Sequence, residues 1–167
     1  MDSQFQQEWF ESKGKTPTPS WWEVEDEFWN IVENSDEPCE VFYGADLDSG
    51  RLGSGFPHSR HGHTGQYADS PWNLNNLPKL GGKYCSMLRH VTDNINGVIV
   101  PWVYMGMTFS SFCWHVEDHM FYSINYNHVG KPKVWYGVPS HSALKFEEVF
   151  RRYMPKQFEL PVSYTHL

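Results

Sequence analysis

Cysteine is scarce. Cys39, Cys85 and Cys113 are the three in 167 residues, and no two stand in a Cys-x-x-Cys spacing, which argues against a zinc cluster or a dithiol redox motif. An odd count without a leader points to a reducing compartment. The start, Met1-Asp-Ser-Gln-Phe-Gln-Gln7, has no basic region and no apolar stretch, so no secretory signal is expected. No apolar run approaches the length of a membrane span. Basic clusters are missing as well. Thirteen Lys and Arg stand against 20 Asp and Glu, for a net charge of −7 and a pI near 5.7, so no direct nucleic-acid site is expected, because phosphate binding needs clustered cations. The acidity would suit a basic peptide, and an ordinary solvated surface accounts for it equally well. Internal repeats and low-complexity tracts are absent.

Aromatic residues are plentiful: they make up 17% of the chain and include eight Trp, the composition of a packed domain and not of a disordered tail. The length suffices for one domain with a sizeable core. Lys13-Gly-Lys-Thr-Pro-Thr-Pro19 reads as a linker. Ser20 and Glu23 have capping-box spacing, and Trp21, Val24, Phe28, Ile31 and Val32 then repeat at helical intervals, the pattern of a core-facing helix. Glu40-Val-Phe-Tyr-Gly44 reads as a strand ended by Gly44. His61 and His63 lie in a glycine-rich polar loop too loose to preorganise a metal site. Trp72-Asn-Leu-Asn-Asn76 is a polar turn. Residues 98–109 are apolar on both parities, which predicts a strand buried on both faces, bent at Pro101 and bulged at Gly106. Strands are expected at 112–126 and 131–138, joined through Asn127-His-Val-Gly130. A last helix follows Pro139, capped by Ser140 or Ser142, with an apolar face of Phe146, Val149, Phe150 and Tyr153, closed by Pro155.

The chemistry gathers in Phe109-Ser-Ser-Phe-Cys-Trp-His-Val-Glu-Asp-His119. In a strand, His115 and Glu117 leave the same face. An imidazole and a carboxylate side by side supply two-thirds of the 2-His-1-carboxylate set used by non-haem Fe(II) oxygenases. By itself His-x-Glu is a common pair. Ser123 and Asn125 share one strand parity, as do Lys133 and Trp135. A Lys among strand residues either snorkels to water or holds an anion. His119 and His128 read as ordinary hydrogen-bonded histidines.

Residues 109–139 resemble the Jumonji C domain of histone lysine demethylases. They are most similar to the branch acting on methylated lysine 4 of histone H3. Glu27-Phe-Trp29, Val41-Phe-Tyr-Gly-Ala-Asp46, Gly53-Ser-Gly-Phe-Pro57 and Trp72–Asn76 fit that branch too, so the resemblance covers about residues 20–155. It implies a mostly β fold with flanking helices (α+β), a double-stranded β-helix of the jelly-roll or cupin-like kind. It also implies Fe(II) and 2-oxoglutarate as cofactors. His115 and Glu117 match two iron ligands, Lys133 and Tyr43 the residues that hold the far carboxylate of 2-oxoglutarate, Ser123 and Asn125 polar lining, and Phe112 and Trp135 aromatic walls. The third ligand, a histidine, is expected on a later strand beyond Leu167, so the chain reads as a barrel incomplete at its C-terminus, with an exposed edge and marginal stability. Pro161–Leu167, with His166, does not match the family.

The expected division is an N-terminal segment and linker at 1–19, a helical and strand flank at 20–65, the first part of the Jumonji C domain at 66–160, and an unmatched tail at 161–167. The expected activity is oxidative demethylation of methyl-lysine on the histone H3 tail, with chromatin complexes as partners and the nucleus as location. Alternatives are a protein hydroxylase of the same fold, an inactive chromatin scaffold, and, least favoured, a hydrolytic zinc site that would leave Lys133 and Asn125 without a purpose.

Overall fold

The computed structural model describes residues 2–34, 38–58 and 61–159. It forms two compact units, Met1–Ser111 and Phe112–Leu167.

The first unit opens on a helix the linker reading did not anticipate. Helix α1 spans Asp2–Ser12. Gln4 Nε2 donates to Glu8 (2.8 Å) and Gln7 Nε2 to Glu11 (3.0 Å), pairs four residues apart that support its exposed face. Its C-terminus is closed by Gly14 at φ 66°. There Gly14 N–H donates to Glu11 O and Lys15 N–H to Phe10 O, both at 2.9 Å, the two bonds of a Schellman motif.

Helix α2 covers Trp21–Asn34, starting where Ser20 and Glu23 predict. Glu23 accepts from the Ser20 backbone N–H at 2.8 Å and from its hydroxyl at 2.5 Å. These bonds hold the Glu23 carboxyl below its ordinary pKa. The expected apolar stripe is buried in part: Val24, Phe28 and Ile31 are half-buried on the face that also carries Glu27. Trp21 and Val32 are exposed, and Glu27 is the side chain of α2 that is fully enclosed. Glu27 accepts from Trp9 Nε1 (3.2 Å) and Lys15 Nζ (2.5 Å), so α1 and the turn after it complete this burial.

Strand β1 runs Tyr43–Asp48, past the Gly44 where the sequence pattern ends it, and pairs antiparallel with β2, Trp102–Gly106. Tyr43 faces Gly106, Gly44 faces Met105, Leu47 faces Val103 and Asp48 faces Trp102. Ala45 and Asp46 therefore oppose Tyr104 alone, and Asp46 takes φ 53°, so the bulge lies on β1 and not at Gly106. Pro101 precedes β2 directly. Burial on both faces is not found: Trp102, Tyr104 and Met105 are exposed. A short helix α3, Ser49–Leu52, follows β1, with Asp48 Oδ1 accepting from Gly50 N–H at 2.8 Å.

The Trp72–Asn76 turn is a clasp. Asn73, 3% exposed, donates from Nδ2 to Pro57 O (2.7 Å) and Tyr67 O (3.0 Å) and accepts at Oδ1 from Asn75 N–H (3.0 Å). Asn76 Nδ2 donates to Ala68 O (2.7 Å) and Ser70 O (3.0 Å). These amides satisfy loop carbonyls that have no ladder partner.

In the second unit the expected strands at 112–126 and 131–138 are not ladder strands. Among the described residues their backbone bonds are local, as in Met120 N–H to Glu117 O at 3.0 Å and Phe121 N–H to Asp118 O at 3.1 Å. The chain is extended at Glu117 and Phe121 and turns between them in a single 3₁₀ turn, Asp118–Met120, where His119 and Met120 take φ 53° and 55°. Extended segments become a sheet only by pairing, and β1–β2 is the sheet present among the described residues. Helix α4, Ala143–Tyr153, starts after Ser142 without a side-chain capping bond. Pro155 ends it and opens a further short helix, α5, Pro155–Glu159. Phe146 and Phe150 are half-buried, whereas Val149 and Tyr153 are exposed. His166 and the rest of 161–167 lie outside the described residues.

Candidate functional site

Residues 111–117 form no regular element, and Glu117 is extended at φ −69°, ψ 150°. Trp114 packs on Phe146 of α4, with ring centroids 4.9 Å apart. His115 Nδ1 lies 2.8 Å from the Cys113 carbonyl oxygen. A carbonyl only accepts, so Nδ1 carries the proton and the lone pair of the neutral ring sits on Nε2. That nitrogen faces Glu117 Oε1 at 4.0 Å. Locking the distal ring nitrogen on a carbonyl is the usual way a metal-binding imidazole is held.

The donor set fits a divalent transition metal. Two ligand atoms about 2.1 Å from one ion and at right angles to each other stand about 3 Å apart. The 4.0 Å gap closes by a small rotation of the Glu117 side chain, which is half-exposed. Among the described residues no group of three His, Cys, Asp or Glu converges, so the pair could supply two ligands and not a complete set. His119 makes a tilted ring contact with Phe121 (5.6 Å, 42°), and His128 Nδ1 lies 3.4 Å from Tyr126 Oη. His61 and His63 are exposed on their loop, with ring centroids 6.4 Å apart.

Phe112, Lys133 and Trp135 form one cluster beside the pair. The Lys133 ammonium lies over the rings of Phe112 (5.3 Å) and Trp135 (5.6 Å). Those two rings are 4.9 Å apart, and Phe112 also meets the His115 imidazole at 5.9 Å and 72°. Every residue from 111 to 141 is exposed except Lys133, which is half-buried. Its ammonium is thus sheltered among aromatic faces, where cation–π attraction offsets part of its lost hydration. Ser123 and Asn125 are exposed on the following segment, and neither makes a side-chain hydrogen bond among the described residues.

Tyr43 belongs to the first unit. Its ring stacks on Tyr104 (6.2 Å, 30°), and Tyr104 Oη donates to Asp46 Oδ1 at 2.8 Å. Burial, and then the Asp46 charge, raise the Tyr43 pKa above its ordinary value, which keeps the phenol protonated and able to donate a hydrogen bond.

Sequence reading missed the Cys113 carbonyl and the ring contact between Phe112 and His115. The first follows from an extended His-x-Glu, because the carbonyl two residues before the imidazole is within its reach. The second had no signal in the pattern.

Residues 102–165 match the family described as JmjC domain, hydroxylase. The chain is 51% identical over 153 residues to the putative lysine-specific demethylase JMJ16 of Arabidopsis thaliana, covering 89% of this chain and 12% of that protein. It is 51% identical over 139 residues to lysine-specific demethylase rbr-2 of Caenorhabditis briggsae (79% and 9%) and 47% identical over 149 residues to lysine-specific demethylase 5B of Gallus gallus (86% and 10%). The chain thus spans about a tenth of the length of these relatives.

Proposed function

We propose that this chain, whose residues 102–165 match the JmjC-domain family, carries part of the active site of an Fe(II)- and 2-oxoglutarate-dependent oxygenase that removes methyl groups from a lysine of a histone tail. Lysine 4 of histone H3 is the target we favour. The similarity to lysine-specific demethylases supports lysine demethylation, and the H3 lysine 4 preference rests on the branch-like motifs upstream. The same reading places the protein in the nucleus, working in chromatin complexes, and assigns the 66–160 stretch to a jelly-roll barrel.

The observation that carries it is the Cys113–His115–Glu117 arrangement, a tautomer-locked imidazole facing a carboxylate. His115 Nε2 and the Glu117 carboxylate would hold the iron. Lys133 would take the far carboxylate of 2-oxoglutarate through a charge-assisted hydrogen bond, and the family resemblance gives the Tyr43 phenol the same role. Phe112 and Trp135 would wall that cosubstrate off from water, and Ser123 and Asn125 would line its polar side. Bound iron, with 2-oxoglutarate and dioxygen, supplies the oxidising power that hydroxylates an N-methyl group, which then leaves as formaldehyde. The protein's share is to position and to shield.

The test is absorption under argon. Fe(II) added together with 2-oxoglutarate should give a visible charge-transfer band that neither component shows alone. His115→Ala and Glu117→Ala should each abolish it, with metal affinity falling at least the roughly 100-fold that losing even an outer-shell partner can cost. A band that survives both substitutions would overturn the assignment.

A further inference from the structure

We propose that Phe112 is a positioning residue serving both halves of the site: its ring seats the Lys133 ammonium and braces the His115 imidazole. The inference rests on the reading of His115 as a metal ligand and Lys133 as the anion-holding residue, and goes beyond it by coupling the two.

Three observations converge on this ring. The Lys133 Nζ lies 5.3 Å from its centroid, inside the range where an aromatic face attracts a cation. The His115 ring stands 5.9 Å away at 72°, the edge-to-face geometry that aromatic pairs prefer. Trp135, 4.9 Å from Phe112 and also under the ammonium, completes the seat for Lys133. Phe112 is thus the side chain described in ring contact with both the imidazole and the ammonium. A long lysine normally reaches for water, yet Lys133 is the one residue between 111 and 141 that is not exposed. The seat restricts its rotamers before any anion arrives, so less side-chain entropy remains to be lost on binding. The imidazole is likewise fixed from two directions. The Cys113 carbonyl sets its tautomer, and the Phe112 ring limits rotation about its side-chain bonds.

The test uses two probes that need no turnover: Co(II), followed by its visible absorption, and glutarate, a dicarboxylate without the keto group, titrated into metal-free protein. Phe112→Leu keeps an apolar side chain and removes the ring. It should weaken both Co(II) and glutarate about three-fold, the scale of one exposed aromatic contact. Phe112→Tyr keeps the ring and should restore both. Trp135→Leu should weaken glutarate alone. A ligand-free readout runs beside these: in Phe112→Leu, the His115 ring protons and the Lys133 side-chain methylene protons should lose their ring-current shifts in the NMR spectrum, with circular dichroism unchanged. Unchanged Co(II) affinity in Phe112→Leu, or a loss in Phe112→Tyr as large as in Phe112→Leu, would overturn the coupling. Failure of the underlying site would look different: His115→Ala would then leave Co(II) binding intact and Lys133→Met would leave glutarate binding intact.

Discussion

At the scale of single residues, Glu27 has the most consequential environment in the first unit. Its side chain is 1% exposed, and its charge is met by Lys15 and Trp9. Burial pushes its carboxyl pKa up. The hydrogen bonds from Lys15, Trp9 and Asn30, with the Lys15 charge, outweigh that and leave it below the ordinary 4.5. A folded-state pKa below the unfolded one means that the unfolded chain binds the proton more readily. The stabilisation is therefore complete above 4.5 and drains away as pH falls from there through the lowered folded value. Glu27→Gln should cost about 2 kcal/mol at neutral pH, the scale of a hydrogen bond to a charged group. Thermal melts of wild type and variant should converge as the pH drops below 4.5. A stability difference constant with pH would show that the packing of the side chain matters and its charge does not.

At the scale of elements, α1 illustrates where sequence reading reached and where it stopped. Ser20 and Glu23 announce α2 because a capping box is a local device written in adjacent residues. Asp2–Ser12 carries no such announcement, since its support comes from afar. Phe109, at φ 69°, sits against Phe5, Trp9 and Phe10 of α1, with centroids 6.1, 5.5 and 6.5 Å away, and the Thr108 N–H donates to Asp2 Oδ1 at 2.7 Å. Contacts some hundred residues apart leave no periodicity to read. The same reason hid the Asn73 and Asn76 clasp, where the residue types were visible as a turn and their carbonyl partners were not. Conversely, the His115–Glu117 pair was legible because it needs only an extended backbone and a period of two. What alternation alone could not decide was pairing: residues 112–138 have strand-like composition, but partners for their ladder are not among the described residues.

One prediction at this scale isolates the end of α1. A Cβ added at Gly14 meets nothing within 4 Å, so Gly14→Ala tests the left-handed backbone alone. It should lower stability by about 1 kcal/mol, read as a shift in the urea midpoint with an unchanged slope. A neutral substitution would mean that the Schellman turn re-forms without its positive φ.

At the scale of the whole molecule, burial is unevenly distributed. The buried residues among those described, Phe10, Glu27, Ser49, Ala68, Asn73 and Ile99, all lie in Met1–Ser111. In Phe112–Leu167 no described residue is buried to that degree: Phe146, Phe150 and Phe158 are half-buried, and Tyr122, Met120 and Val129 are 105%, 78% and 82% exposed. Few buried contacts and local-only backbone bonds define the low-stability end of a structure. Amide hydrogen exchange should therefore split by unit. Amides of α2 and of the β1–β2 pair should exchange through global opening, slowly and with strong urea dependence. Amides at 121–139 should exchange close to the rate of an unprotected peptide, on a timescale that only minutes-long labelling resolves. Fe(II) with 2-oxoglutarate should then slow exchange selectively around 112–117 and 131–135, because a ligand that binds only the ordered form stabilises it by mass action. If 121–139 were as protected as β1 before any ligand is added, its backbone would have to be paired in solution. Concentration dependence of that protection would then identify a second copy of the chain as the source of the missing ladder.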